Sequence, residues 1–207
     1  AGKGQGAGFV EPQQITFFRH PVARCRSHWN YEQELCHRKP LGIHEPYCIT
    51  EFLPRFGNAN SSAVHAAFAT EHCTERMSRS LTAKNGINDP LKFLIANLAF
   101  IGITEYFLES VCLLLYQTAR FRRDMCTCPE GGRALPIARE LRPPLDEQWK
   151  ASRLRAAGVP SLRLTDEELT RRNPVDVALY DQLLHVFKQR MHLLEATVRS
   201  RVWACRY

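Results

Sequence analysis

The stretch QITFFRHPVARCRSHWNY, Gln14 to Tyr31, constrains the fold more than any other part of the chain. Ile15-Thr16-Phe17-Phe18 is a β-favouring run, and apolar or β-branched residues in unbroken succession suit a strand buried on both faces, as in a parallel sheet. Pro21 cannot continue a ladder, but it fits the first turn of a helix, where its missing N–H is not needed. From Val22 onward the spacing is helical. Val22, Cys25 and Trp29 form an apolar stripe, and Arg24, Ser27 and Tyr31 form a polar face. A buried strand therefore delivers Arg19 to its carboxyl end, where a helix begins with its positive dipole end and its unbonded N–H groups. Open α/β sheets bind phosphate at such a place. The same pattern also describes a strand–helix unit whose arginines simply face water.

The run Arg19-His20-Pro21-Val22-Ala23-Arg24, with Ser27 and Trp29, resembles a motif of the Golgi carbohydrate sulfotransferases. In those enzymes it reads roughly R-D-P-V-x-R-x-x-S-x-[WY] and binds the 3′-phosphate of 3′-phosphoadenosine 5′-phosphosulfate (PAPS). His20 stands where the family has Asp. Two later segments resemble heparan sulfate 2-O- and 6-O-sulfotransferases. NLAFIGITEYFLESVCLLL, which contains Glu105 and Ser110, is similar to their F-x-G-L-T-E-x-x-x-x-S segment. NPVDVALYDQLLHVFKQRM is similar to their closing helix, N-x-x-D-x-x-L-Y-[DE]-x-[AL]-x-x-x-F-x-x-R. Glu75 to Leu81 resembles a further R-M-x-x-x-L segment, which makes Arg76 and Arg79 ligand candidates if they are not a solvated helix face.

The resemblance runs in order from Gln14 to about Met191 and implies the C-terminal portion of one sulfotransferase domain, residues 1–207. The implied fold is α/β: a parallel sheet with flanking helices, of P-loop-kinase-like type. The implied activity is transfer of a sulfuryl group from PAPS to a hydroxyl of a carbohydrate, such as the glycosaminoglycan heparan sulfate, without a metal. Arg19, Ser27 and Arg24 are the implied cofactor-binding residues. The implied setting is the lumenal side of the Golgi membrane, as a glycoprotein whose anchor lies outside this chain. The family's 5′-phosphosulfate loop, P-K-x-[GA]-[ST]-[ST], and its catalytic base are expected before Ala1. His20, His28 and His37 lie near the phosphate unit, but none matches that base, so no catalytic residue is assigned.

A net charge of +7 over 207 residues independently favours an anionic partner: a nucleotide, a polyanionic sugar, nucleic acid or a membrane surface. The alternative function is thus a non-catalytic basic module that binds a polyanion, a sulfated glycan or RNA. No RGG tract or RNP motif is present, so nucleic acid is not the expected partner. The glycines of AGKGQGAGFV do not make a phosphate loop, because no strand precedes them and no helix follows; residues 1–13 read as a flexible lead-in. The apolar stretch Phe93–Tyr116 contains Glu105 and Glu109. An ionised residue at a bilayer centre costs about 2.5–3.5 kcal/mol, so a strand–helix pair is expected instead.

The eight cysteines show no C-x-x-C spacing, which argues against a metal knuckle. One or two disulfides suit a secretory setting, with the pairing open, and Cys25 and Cys112 read as buried thiols on apolar helix faces. Loops are expected over Lys39–Pro54, with a helical turn near Ile49–Leu53, and over Phe56–Ala63; a helix is expected over Ala66–Leu81. Asp89 and Pro90 start a helix to about Ala99, with Leu91, Leu94, Ile95 and Leu98 on one face. Phe100–Thr104 reads as a strand and Glu105–Arg120 as a helix, in which Glu105 and Ser110 serve capping and packing. Residues 122–144 read as a basic, Pro- and Gly-rich loop, a solvated insertion in preference to a segment lying over a sulfated glycan. Thr165 and Glu168 have capping-box spacing, and Val175–Arg201 forms a long helix with Leu179, Leu183, Val186, Phe187 and Leu194 towards the core.

Overall fold

In a computed structural model of the chain, strand β1 (Gln14–Phe18) pairs in parallel with strand β2 (Leu98–Ile103). The structure describes residues 14–38, 62–79, 87–129, 135–139, 141, 156 and 161–203. Phe17 lies opposite Gly102 and Phe18 opposite Ile103. The glycine is required by packing: a Cβ there would lie 2.7 Å from the Phe17 ring and 2.8 Å from that of Phe100. Its absence lets Phe17 lie against Phe100 and Phe107, at centroid distances of 5.6 and 5.5 Å. β2 is buried except at Ala99. β1 departs from the expectation of burial on both faces, since Phe18 is buried while Ile15 is 52% exposed. Among the described residues the sheet has only these two strands, and such a sheet leaves outer positions uncovered.

Helix α1 (Pro21–Arg38) follows β1 directly, and its stripe Val22, Cys25 and Trp29 is buried as the spacing predicts. It packs against α2 (Ser62–Phe68) and a π-helical turn, Ala69–Cys73. The continuous helix expected over Ala66–Leu81 is broken. Thr74 is extended and Glu75 is left-handed, with φ 46°, before a helical turn at 76–79. α3 (Pro90–Asn97) begins as expected, with Asp89 accepting the Lys92 N–H at 2.9 Å and Pro90 in the first turn. Leu94 and Leu98 face inward, but Ile95 is exposed, and β2 starts at Leu98 without an intervening loop. After a 3-10 turn (Thr104–Tyr106) comes α4 (Phe107–Gln117). There the buried Ser110 hydroxyl accepts from the Ile103 N–H and donates to its carbonyl, closing the end of β2.

The basic segment after α4 is not a solvated loop in its described parts. It forms α5 (Arg123–Cys126) and a 3-10 turn (Pro136–Arg139), and buries Met125, Cys126, Leu135 and Ile137 in the main core. Apolar residues between the arginines outweigh the Pro and Gly content. α6 (Asp166–Arg171) carries the expected capping box of Thr165 and Glu168. α7 (Pro174–Val198) places Leu179, Leu183, Phe187 and Leu194 in the core, with Val186 half-buried. Cys25 and Cys112 are buried, but they are not thiols: Cys25 pairs with Cys73 and Cys112 with Cys126. Two apolar helix faces packed together bring the sulfurs within bonding reach. Cys128 is also disulfide-bonded.

The lead-in 1–13, the turn near 49–53 and almost all of the two loops between 39 and 63 lie outside the described residues. Among the described residues, no helix is long and apolar enough to cross a membrane. No group of three or more His, Cys, Asp or Glu there is arranged to hold a metal ion.

The contact between Phe17 and Gly102 gives the first prediction. Gly102→Ala overpacks a well-filled site and should destabilise the protein by about 1–3 kcal/mol. Thermal unfolding should read this as a drop of roughly 2–4 °C per kcal/mol. Adding Phe17→Leu should recover part of the loss. An unchanged melting temperature in Gly102→Ala would refute the close packing.

Candidate anion site at the carboxyl edge of the strands

Parallel pairing with Phe18 opposite Ile103 makes both strands end at one edge. Arg19 and His20 leave β1 there, beside Thr104 and Glu105 leaving β2. The Glu105 carboxylate joins three elements. It accepts the His20 backbone N–H at 2.9 Å and the Tyr180 hydroxyl of α7 at 2.9 Å. The His20 ring meets the Tyr180 ring edge-on at 5.1 Å. Burial, with the Glu105 charge beside it, pushes the Tyr180 phenol far above its ordinary pKa, so it remains a neutral donor. Arg19 is half-buried at this edge, next to the first turn of α1, where the Val22 and Ala23 N–H groups have no helical acceptor. Ser27 is half-buried two turns into α1, three residues beyond Arg24 and on the same face.

Arg24 turns inward. Its guanidinium donates to Asp176 at 3.0 Å and to the Cys73 carbonyl at 3.4 Å. Asp176 is fully buried and also accepts the N–H groups of Met77 and Ser78, at 2.8 and 2.7 Å. The Glu75 carboxylate answers by accepting the N–H groups of Val175 and Asp176, at 3.0 and 2.9 Å. The first turn of α7 and the helical turn at 76–79 thus cap each other with carboxylates, which suits both helix dipoles. Asn173 closes the arrangement, accepting from the Glu75 N–H at 3.0 Å and donating to the Leu169 carbonyl at 2.7 Å. The left-handed backbone of Glu75 is the cost of aiming its carboxylate at α7. Burial drives the Asp176 pKa up, but the N–H groups of Met77 and Ser78 and the Arg24 guanidinium outweigh it, holding the carboxyl below its usual range. Arg26, on the neighbouring face of α1, donates to Asp166 at 2.9 Å and to the Leu164 carbonyl at 3.0 Å.

Of the residues singled out in the sequence, Arg19 and His20 therefore stand at the edge with Glu105. Arg24 lies one turn deeper, towards Asp176, and Arg76 and Arg79 are exposed. His28 belongs to a different surface. It stacks on Phe68 at 5.7 Å and on His72 at 5.1 Å, between α1 and α2. His65 is fully buried against Trp29 at 4.8 Å, and among the described residues neither of its ring nitrogens has a hydrogen-bond partner. Sequence reading missed Glu75, Asn173 and Asp176 as a linked set, and His65 as a core residue. Asn173-Pro174-Val175-Asp176 did mark a helix start, but its partners lie 98 to 152 residues away. Comparison with family models, with curated proteins and with solved structures gives no match to the chain.

Asp176 and His65, both buried titratable groups, each give a prediction. Asp176→Asn leaves Arg24 facing a neutral amide, and breaking a buried pair costs about 3–5 kcal/mol. The Asp176 pKa is lowered on folding, so its stabilisation is complete above the unfolded value near 4 and is lost as pH falls through the folded value. In denaturant titrations the gap between wild type and Asp176→Asn should therefore be wide at pH 7 and should narrow below about pH 4. A constant gap would contradict the ion pair. The second concerns His65, whose pKa is lowered by burial and by Arg163. The unfolded chain protonates first, so stability should fall as pH drops below about 6.5. His65→Leu should lose less stability than wild type between pH 7.5 and 5, and equal losses would rule out a buried neutral imidazole.

Proposed function

We propose that the chain is the C-terminal portion of a PAPS-dependent carbohydrate sulfotransferase domain, with a P-loop-kinase-like fold, and that its acceptor is a glycosaminoglycan such as heparan sulfate. One observation carries the reading. The three segments that resemble this family touch one another: His20 and Tyr180 meet Glu105 at the strand edge, and Arg24 pairs with Asp176 one turn deeper. Their contacts fit the resemblance, in which these segments build one nucleotide site. The disulfides add support, because closed cystines belong to an oxidising compartment such as the secretory lumen.

In this reading the 3′-phosphate of PAPS docks at the carboxyl edge of the strands. Arg19 offers a planar fork for two phosphate oxygens, and Ser27 offers one hydroxyl donor. The Val22 and Ala23 N–H groups and the α1 dipole add favourable partial charge. Arg24 acts as a positioning residue through Asp176, fixing α1 against α7. The reaction is an in-line displacement: a sugar hydroxyl oxygen bonds to sulfur as the bond from sulfur to the bridging phosphate oxygen breaks. The hydroxyl proton passes to a general base, and no residue of this chain is assigned that role.

Calorimetric titration with adenosine 3′,5′-bisphosphate, and with the analogue lacking the 3′-phosphate, tests the site. Each hydrogen bond to a charged group contributes about 1.5–3 kcal/mol, so Arg19→Ala should weaken bisphosphate binding at least tenfold and erase most of the preference for the 3′-phosphate. Ser27→Ala should lose less, and Arg19→Lys should recover only part of the affinity. If Arg19→Ala binds both nucleotides as wild type does, the assignment is wrong. A wild-type protein that binds sulfated glycan but neither nucleotide would favour the non-catalytic polyanion-binding module.

A further inference from the structure

The far end of α7 carries a second concentration of positive charge. The helix closes at Val198, and Arg199 follows in the left-handed region with φ 50°. Glu195, one turn back, turns its carboxylate onto the N–H groups of Val202 and Trp203, at 2.7 and 2.6 Å. The segment folds back, so that Trp203 packs on Tyr106 at 4.6 Å and on Phe187 at 5.6 Å. Arg199 and Arg201 remain on the outside, both exposed. The chain after α4 is tied to the same place. The Arg123 guanidinium donates to the Val198 carbonyl, and the Cys128 N–H donates to the Arg201 carbonyl at 2.8 Å. The Cys112–Cys126 disulfide anchors α5 beneath them. Arg120, Arg122 and Arg123 on this segment are exposed as well.

Among the described residues, little negative charge offsets these arginines. Asp124 pairs with Arg122 at 2.9 Å, and Glu195 is turned inward. Among the described residues, no carboxylate pairs with Arg120, Arg199 or Arg201. The fold uses part of the charge, since Arg123 caps a terminal carbonyl of α7 and cations there complement the helix dipole. Arg120 and Arg201 lie beyond that need. Val198 and Arg199 lie at the opposite end of α7 from the strand edge, although Trp203 folds back onto Tyr106, the residue after Glu105. At ~1.5 Å of rise per residue, Val198 lies about 27 Å along α7 from Tyr180.

The disulfides select among polyanions. Among the described residues no cysteine is free, and closed cystines suit an oxidising compartment. Nucleic acid and the anionic cytoplasmic leaflet lie on the reducing side. The polymeric anion met on the oxidising side is a sulfated or uronate-bearing polysaccharide, whose sulfate and carboxylate groups match the guanidinium fork. We propose that Arg120, Arg122, Arg123, Arg199 and Arg201 form an exosite for an anionic polysaccharide, separate from the strand edge. The exosite stands without the nucleotide reading. If both hold, one long polymer can touch both surfaces.

The test is heparin-affinity chromatography of the whole chain, with calorimetric titration of a size-defined heparin oligosaccharide at about 0.15 M salt. The triple variant Arg120→Ala, Arg199→Ala, Arg201→Ala should bind at least tenfold more weakly, elute earlier and show a shallower salt dependence, because fewer counterions are released. Lysine at the same three positions should restore most of the affinity. Adenosine 3′,5′-bisphosphate binding should be the same in wild type and the triple variant. Co-elution of the triple variant with wild type would overturn the exosite. Tighter wild-type binding to a single-stranded oligonucleotide of equal charge than to the heparin fragment would overturn the polysaccharide assignment. If wild type binds no nucleotide yet the triple variant loses heparin, the exosite stands and the strand-edge reading falls.

Discussion

The ion pair between Arg24 and Asp176 joins residues 152 positions apart, and the arrangement of the helices depends on it. A buried carboxylate facing one guanidinium rarely returns the cost of leaving water. Here the carboxylate also accepts two backbone N–H groups, and the helix that carries it is capped in turn by Glu75. Each helix end completes the other, so neither charge is left uncompensated. Replacing the pair by apolar groups of equal volume would not reproduce this geometry, because the N–H groups of Met77 and Ser78 would lose their acceptor. The pair therefore acts chiefly as a positional lock.

That lock lies between two apolar clusters. One is built on β2, α4 and α7, around Phe100, Ile101, Leu183 and Phe187. The other is built on α1, α2 and α6, around Trp29, Phe68 and Leu169. Arg24 comes from the second cluster and Asp176 from the helix that runs through the first. Each cluster has its own disulfide, Cys112–Cys126 in the first and Cys25–Cys73 in the second. Cys73 also presents its carbonyl to Arg24, so covalent and electrostatic restraints meet at one turn. With Glu105 holding His20 and Tyr180, α1 cannot rotate without breaking contacts to both clusters.

Local features were legible in the sequence because their signals are local. The strand–Pro–helix start of α1, the Asp89 cap, the Thr165–Glu168 capping box and the inward face of α7 each rest on residues within a few positions of one another. What sequence could not show were pairings at long range. Ile15 reads as core, yet its exposure depends on what covers the sheet. Cys25 and Cys112 read as buried, and whether each meets another sulfur depends on a helix far along the chain. Glu75 looks like an ordinary helical residue until its carboxylate finds α7, and then the backbone bends to left-handed values to reach it. The arginines of 122–144 suggested solvent, while Met125, Leu135 and Ile137 among them reached the core. At the candidate site, Arg19 and Ser27 were named from spacing and resemblance. The inward turn of Arg24 was not, because its acceptor has no sequence signal near it.

We propose that β1, β2, α1 and α7 form one edge that receives a 3′-phosphate. Amide hydrogen exchange of the chain with adenosine 3′,5′-bisphosphate, set against adenosine 5′-phosphate, tests it most directly. The bisphosphate should slow exchange at the amides from Arg19 to Ala23, and the monophosphate should slow them far less. Equal protection by the two nucleotides, or protection confined to residues away from this edge, would contradict it.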